Sequence, residues 1–281
     1  MEYKIFGKTG QKVSSIGMGT YYDPAFITAR KLHLKGINKT NVDAVKSGID
    51  NGINLIDTAE LYGTEEVVRD AISDKEREKL FIATKAFPNH LKPSKLRKAC
   101  LRSLEKLGTS YIDLYQIHFP SPFVPISETM KEMEKLVDDG KIRYIGISNF
   151  DLAKTKEAVS VMKKHEIVST QMSYNLFDRD IEENGLLNYC KENGMAVLAY
   201  YPLAHGKLVN IKGTDSPMAK IIESHKGAKP VHVALNWLLS RGENVFPIPR
   251  ASRSDHVIEN SKFDSYTLSN EDLDLLKKIT S

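Results

Sequence analysis

The chain has 281 residues, 41% of them hydrophobic and 27% charged, with 40 basic against 36 acidic side chains and a net charge of +4. That is the composition of an ordinary globular protein, with room for two small domains or one large α/β barrel. Basic residues alternate with acids, as in Asp74-Lys75-Glu76-Arg77-Glu78-Lys79, and Cys100 and Cys190 lack CxxC spacing, which excludes a nucleic-acid patch, a zinc knuckle and a disulfide framework.

The start, Met1-Glu2-Tyr3-Lys4, lacks a charged-then-apolar signal segment, and no later apolar run approaches a membrane span. A cytoplasmic protein with neither membrane nor nucleic-acid partner is the expectation. Tyr3 to Phe6 and Lys12 to Ser14 flank a Gly-Lys-Thr-Gly turn at Gly7 to Gly10, which predicts a small hairpin with positive φ at its tip. Ile16 to Thr20 reads as a short strand. Gly17 and Gly19 look like the opening of a dinucleotide-binding fingerprint, but Tyr22 follows and no helix opens there, so that reading is rejected. Residues 21 to 38 read as a long irregular loop.

A regular alternation follows. Helical spacing covers 42–51, 64–73, 93–107, 126–139, 151–164 and 181–193, several of these ending at a glycine such as Gly52, Gly108, Gly140 or Gly194. Further helices are predicted at 217–225, 231–240, 254–261 and 268–279. Short apolar runs at 54–58, 80–85, 111–118, 144–149, 168–174, 195–200 and 245–250 join 16–20 as eight strands. Strand–helix alternation implies a parallel sheet, and eight units in this length match a closed (β/α)₈ barrel forming one domain over 1–281. A doubly wound open sheet is the alternative, weakened by the missing Gly-rich phosphate turn.

Barrel active sites form where strands end at their C-terminal side. Those ends carry Asp57, Lys85, His118, Asn149, Gln171 and Tyr200, all polar after apolar runs. Asp57 is the oddest, because an acid in a strand core is costly unless paired. Each residue alone has a plainer reading: Asp57 as a helix cap, Tyr62 as packing, Lys85 as a snorkelling strand-end lysine, His118 as a hydrogen-bonded core histidine. Their arrival at one rim is what favours chemistry. Alternation places Lys85 with Ala83 and Phe81, and His118 with Gln116, Leu114 and Ile112.

Asp57-Thr58-Ala59-Glu60-Leu61-Tyr62-Gly63, Thr84-Lys85, Ile117-His118, Gly146-Ile147-Ser148-Asn149-Phe150 and Ile248-Pro249-Arg250 together resemble the aldo-keto reductases. The resemblance runs in order from Gly17-Met18-Gly19-Thr20 to Glu259-Asn260. It implies a (β/α)₈ barrel that binds NADPH, with NADH possible, and reduces aldehydes or ketones. The family's catalytic tetrad falls on Asp57, Tyr62, Lys85 and His118, and no metal is implied. Tyr62 would be the general acid, its pKa lowered by a cationic Lys85, whose charge Asp57 offsets. Neutral His118 would orient the carbonyl.

The same resemblance gives Ser148, Asn149 and Gln171 to the nicotinamide carboxamide and Tyr200 to its ring. It adds Gly19, Thr20, Asp57, Tyr201 and Leu203 as further cofactor contacts, although Tyr201 and His205 stand where the family often has serines. Arg250, Ser252 and Arg253, before a helix starting at Ser254, suit the adenosine 2′-phosphate, with Glu259 and Asn260 at the adenine. His256 stands where many members have an arginine. Tyr21, Tyr22, Phe87 and Phe119 would wall an apolar substrate pocket alongside Tyr62 and His118. The chain stops at Ser281, soon after its last helix, and an open mouth with broad aldehyde or ketone acceptance is expected.

Two other classes compete. A nicotinamide-binding regulatory subunit with little turnover could keep the same residues. A phosphate-handling isomerase or aldolase could use Lys85 as a Schiff base, but it leaves Tyr62 and Tyr200 without a role.

Overall fold

Eight short strands run parallel around one axis, with helices outside them. In this computed structural model, residues 1–22, 25, 27–28, 38–209, 216–225, 227–265 and 267–279 are described. The hairpin is β1 (Tyr3–Ile5) with β2 (Lys12–Ser14); Gly7 and Gly10, at φ +53° and +69°, turn the chain between them. The barrel strands are β3 (Met18–Gly19), β4 (Leu55–Asp57), β5 (Phe81–Ala86), β6 (Ile112–Ile117), β7 (Ile142–Ser148), β8 (Ile167–Ser173), β9 (Ala196–Tyr200) and β10 (Val245–Pro247). Each pairs in parallel with its neighbours in chain order. Gly17 N–H to Pro247 O (2.8 Å), Gly19 N–H to Pro249 O and Ala251 N–H to Gly19 O (both 2.9 Å) close the seam between β3 and β10. A Cβ at Gly19 would lie 3.0 Å from the Ile248 carbonyl oxygen, so glycine lets these two backbones meet. This is a (β/α)₈ barrel.

Strand alternation sorts the side chains. Leu55, Phe81, Ala83, Leu114, Val168, Leu198 and Phe246 fill the interior, while Ile56, Ile82, Tyr115, Ile117, Ile145 and Ile147 pack outward against the helices. The hairpin plugs the bottom: the Phe6 ring lies 4.7 Å from Phe81 and 5.1 Å from Phe246. Above this apolar floor the interior turns polar, at Gln116, Asp57 and Lys85.

Several boundaries differ from those expected. The run at 245–250 is a strand only to Pro247, because Pro247 and Pro249 have no N–H for a ladder. The helix expected at 151–164 stops at Ser160; Glu134 from a neighbouring helix accepts the backbone N–H groups of Lys163 (2.8 Å), Lys164 (2.6 Å) and His165 (3.1 Å), which draws the chain out of helical geometry. The stretch 181–193 is two helices, Asp180–Glu183 and Leu186–Glu192, broken at Gly185 with φ +80°. The last helix, Asn270–Leu276, is shorter than 268–279; Ser269 and Asp272 form the capping box that sets its start. Of the loop expected at 21–38, Ala25, Ile27 and Thr28 are helical, Asn38 caps a helix Lys39–Asp50, and the rest lies outside the described residues. Among the described residues no helix is long and apolar enough to cross a membrane.

Candidate active site

Asp57 ends β4 and Lys85 is the fifth residue of β5, so both point inward just above the apolar floor. The two are buried and form an ion pair, Lys85 Nζ to Asp57 Oδ2, at 2.6 Å; Nζ also donates to Thr58 O at 2.9 Å. Tyr62 closes a 3₁₀ turn (Glu60–Tyr62) that Gly63, at φ +64°, terminates. Thr58 and Thr20 tie the base of that turn, their hydroxyls 3.0 and 2.9 Å from the Thr64 hydroxyl. His118 follows β6, its Nε2 3.5 Å from the Tyr62 hydroxyl and its ring edge-on to the Tyr62 ring at 5.4 Å. The four residues meet at one rim, as their strand-end positions imply.

The electrostatics correct one expectation and add to another. Lys85 Nζ sits 4.9 Å from the Tyr62 ring centroid, against its face, and the hydroxyl is held well above its ordinary range, first by burial and then by the Asp57 charge. Tyr62 therefore remains a protonated phenol across the neutral range; the expected lowering is absent because burial and the Asp57 charge both raise it. Burial also pulls Lys85 down, while Asp57 pulls it back. The Asp57 carboxylate has further partners besides Lys85: its Oδ1 accepts Gln171 Nε2 at 2.8 Å and Gln116 Nε2 at 3.4 Å.

Burial, with Lys85 adding, pushes the His118 imidazole from 6.5 to about 3, so it is neutral at working pH. The unfolded chain then binds the extra proton, and His118 removes stability as pH falls below 6.5. Relative to His118→Gln, wild type should lose about 2 kcal/mol of unfolding free energy from pH 7 to pH 5. Parallel urea-denaturation profiles for the two proteins would refute this.

The residues assigned to a nicotinamide form one hydrogen-bonded patch. Ser148 Oγ donates to Gln171 O (3.0 Å), Asn149 Nδ2 to His118 O (2.9 Å) and to Ser148 Oγ (3.0 Å), and the Tyr200 hydroxyl to Asn149 Oδ1 (2.8 Å). After β9, Tyr201, Ala204 and His205 have φ of +52°, +47° and +56°, a strained run for non-glycine residues. Leu203 lies within it, and the Tyr201 and His205 rings are 3.8 Å apart. Gly19 and Thr20 are committed to the fold: Gly19 to the seam, and the buried Thr20 N–H and hydroxyl to Asp57 O at 2.9 and 3.1 Å.

On the far side, exposed Arg250 uses one guanidinium nitrogen on Tyr22 O (2.7 Å), and Ser252 is half-buried beside it. Arg253 lies bidentate on Asp255 (3.0 and 2.8 Å), and His256 is exposed. Glu259 pairs with Lys229 (2.6 Å) and His232 (2.9 Å), which pull its carboxyl below the usual range; Asn260 is buried. Toward the mouth, the Tyr21 ring is edge-on to Tyr62 at 5.1 Å and to Tyr201 at 6.3 Å, and Phe119, 41% exposed, stacks on His118 at 4.9 Å. Phe87 is half-buried, its N–H on Glu60 Oε2 at 3.2 Å.

Residues 35–281 match the profile of the aldo/keto reductase family. The chain belongs to that family. Among aldo/keto reductase relatives, the methylglyoxal reductase YeaE of Escherichia coli is 35% identical over 283 residues, covering 99% of this chain and 95% of that protein. The solved thermostable aldo-keto reductase Tm1743, in complex with the inhibitor epalrestat, has a TM-score of 0.86 at 38% identity over 99% of both chains. An aldo-keto reductase from Klebsiella pneumoniae in complex with NADPH has a TM-score of 0.85 at 32% identity, over 99% of this chain and 95% of that one.

The tetrad pattern leaves two neighbours out. Glu60 anchors the Tyr62 turn: its carboxylate accepts Phe87 N–H, Arg102 at 3.0 Å and His90 Nδ1 at 2.9 and 3.0 Å, and these donors hold it below the usual carboxylate range against the opposing effect of burial. Nothing in its own segment announces this, because the partners come from the next strand–helix unit. Gln116 had a signal, an amide on the inward face of an otherwise apolar strand, two residues before His118.

Proposed function

We propose that residues 1–281 act as one barrel domain in the cytoplasm, an NADPH-dependent reductase converting aldehydes or ketones to alcohols with Tyr62 as general acid. The observation that carries it is the buried 2.6 Å Lys85–Asp57 pair lying against a phenol whose hydroxyl meets the neutral His118 ring. The residues suit the cofactor. Two side-chain amides and a hydroxyl, from Asn149, Gln171 and Ser148, match the donors and acceptors of a carboxamide, with the Tyr200 ring beside them. Arg250 would hold the 2′-phosphate, and Arg253, engaged by Asp255, contributes less.

When bound, NADPH supplies the hydride that adds to the carbonyl carbon. Charge then develops on the carbonyl oxygen, and Tyr62 Oη donates its proton there. Lys85, held charged by Asp57, stabilises the phenolate left on Tyr62. Among the described residues His118 Nδ1 has no hydrogen-bond partner, whereas Nε2 faces the Tyr62 hydroxyl. A buried N–H without an acceptor costs free energy, so the proton belongs on Nε2, where it can also reach the carbonyl oxygen. Tyr21, Phe87 and Phe119 would bound the substrate. A mouth lined by aromatic rings accepts varied aldehydes, and the name of the Escherichia coli relative makes 2-oxoaldehydes the first class to try.

The test is a panel of methylglyoxal, 4-nitrobenzaldehyde and simple ketones with NADPH and with NADH, followed by cofactor absorbance. Turnover of several aldehydes is expected; tight cofactor binding without turnover would favour a regulatory subunit. Arg250→Ala should raise KM for NADPH at least about tenfold, a loss typical of a charge-assisted contact, and leave KM for NADH nearly unchanged. Equal effects on both cofactors would remove Arg250 from the 2′-phosphate.

A further inference from the structure

Asp57 is a buried carboxylate at the barrel mouth, and the Lys85 ammonium donates to its Oδ2. A buried ion pair gains over its desolvation cost only where further hydrogen bonds occupy the remaining lone pairs. Two amides meet that need at Oδ1: Gln171 from β8 at 2.8 Å and Gln116 from β6 at 3.4 Å. Gln171 lies at the patch assigned to the carboxamide. Gln116, two residues before His118 on β6, is fully buried, and its amide donates to Asp57. Its amide orientation is fixed by charge, because turning it over would set Oε1 against the carboxylate. In the fixed orientation Oε1 has no partner among the described residues, nor has the nearby buried Ser169 hydroxyl. An amide that leaves its own oxygen unpaired in order to donate to Asp57 is costly as packing alone, which an apolar side chain would do better.

Room for this amide comes from Gly146 on β7. A Cβ there would fall 2.8 Å from Gln116 Cγ, 2.7 Å from Ser169 Oγ and 3.1 Å from Leu114 Cδ1. Gly146 has no positive φ, so close approach is what the glycine provides. One glycine and one glutamine on adjacent strands, paired at register Gln116–Gly146, thus form a unit under the ion pair.

The geometry points to Gln116, seated by Gly146, as a positioning residue that holds the Asp57 carboxylate in line for Lys85, and hence for Tyr62. This rests on the reductase reading above. Gln116 touches no reacting atom; it acts on Asp57, and its loss displaces the ammonium that the Tyr62 phenolate needs.

Gln116→Met keeps the length and apolar volume but removes the donor, and Gln116→Glu turns the donor into a second carboxylate. Both are assayed with an aldehyde that wild type turns over, alongside NADPH affinity by fluorescence titration and thermal midpoint. Gln116→Met should lower kcat about tenfold with NADPH affinity and aldehyde KM unchanged. Gln116→Glu should lower kcat by more than about a hundredfold. Gly146→Ala should reproduce the Met phenotype, and the double variant Gly146→Ala/Gln116→Met should be no slower than Gly146→Ala alone, since both act through one amide. A Gln116→Met protein with kcat within about twofold of wild type overturns the proposal even if the Glu variant fails to fold. So does a kcat loss matched by an equal loss of NADPH affinity, which would mark a general disturbance of the site. Tyr62→Phe in the same assay separates the two failures: a dead Tyr62→Phe beside a fully active Gln116→Met rejects Gln116 alone, whereas an active Tyr62→Phe rejects the reductase chemistry and this proposal with it.

Discussion

Tyr62→Phe should lower kcat for aldehyde reduction by roughly 10²–10⁴ while leaving NADPH affinity close to wild type. That corresponds to about 3–5 kcal/mol of barrier. The size follows from what the site offers in place of the phenol. His118 is neutral, with its imidazole near 3, so it has no transferable proton of the right acidity, and Lys85 is tied to Asp57 and Thr58 O. Only water could then protonate the oxygen, and the Tyr21 and Phe119 rings crowd the approach to it. The fold should hardly notice the change, because among the described residues the hydroxyl makes only a long, 3.5 Å hydrogen bond, to His118. Steady-state turnover beside a thermal melt checks both halves. A variant within about tenfold of wild type would remove Tyr62 as the general acid.

How much of this was legible in the sequence differs between the two levels. The barrel was, because inward strand residues alternate with outward ones and a glycine or proline bounds most of the helices. Element ends were not, where a distant group decides them: Glu134 ends a helix that its own residues would continue, and no local pattern reports that. The tetrad was legible because its members sit at strand ends, where apolar runs break. Its electrostatics were not. The expectation that Lys85 lowers the Tyr62 pKa uses the right charges but omits burial, which is set by how Tyr21, Ala59 and Ile27 pack around the ring. The amides on Asp57 were not legible either, because Gln116 and Gln171 reach it from strands well removed in sequence. Each error has the same origin: a property of an assembly was assigned from a pair.

Lys85→Met tests that assembly more severely than any other single change. It should abolish turnover and also lower unfolding free energy by about 3–5 kcal/mol, because Asp57 is left as a buried carboxylate without its cation. The two amide donors on Oδ1 remain, which places the expected loss toward the lower end of that range. Pairing the change with Asp57→Leu removes the stranded charge, and the double variant Lys85→Met/Asp57→Leu should recover most of the lost stability while staying inactive. The ion pair would then be retained for chemistry, since an apolar replacement of both partners serves the fold about as well. Urea unfolding of wild type and the three variants closes this cycle. If the double variant is as unstable as the sum of its singles, Asp57 and Lys85 act independently, and the 2.6 Å pair does not hold the ammonium at Tyr62.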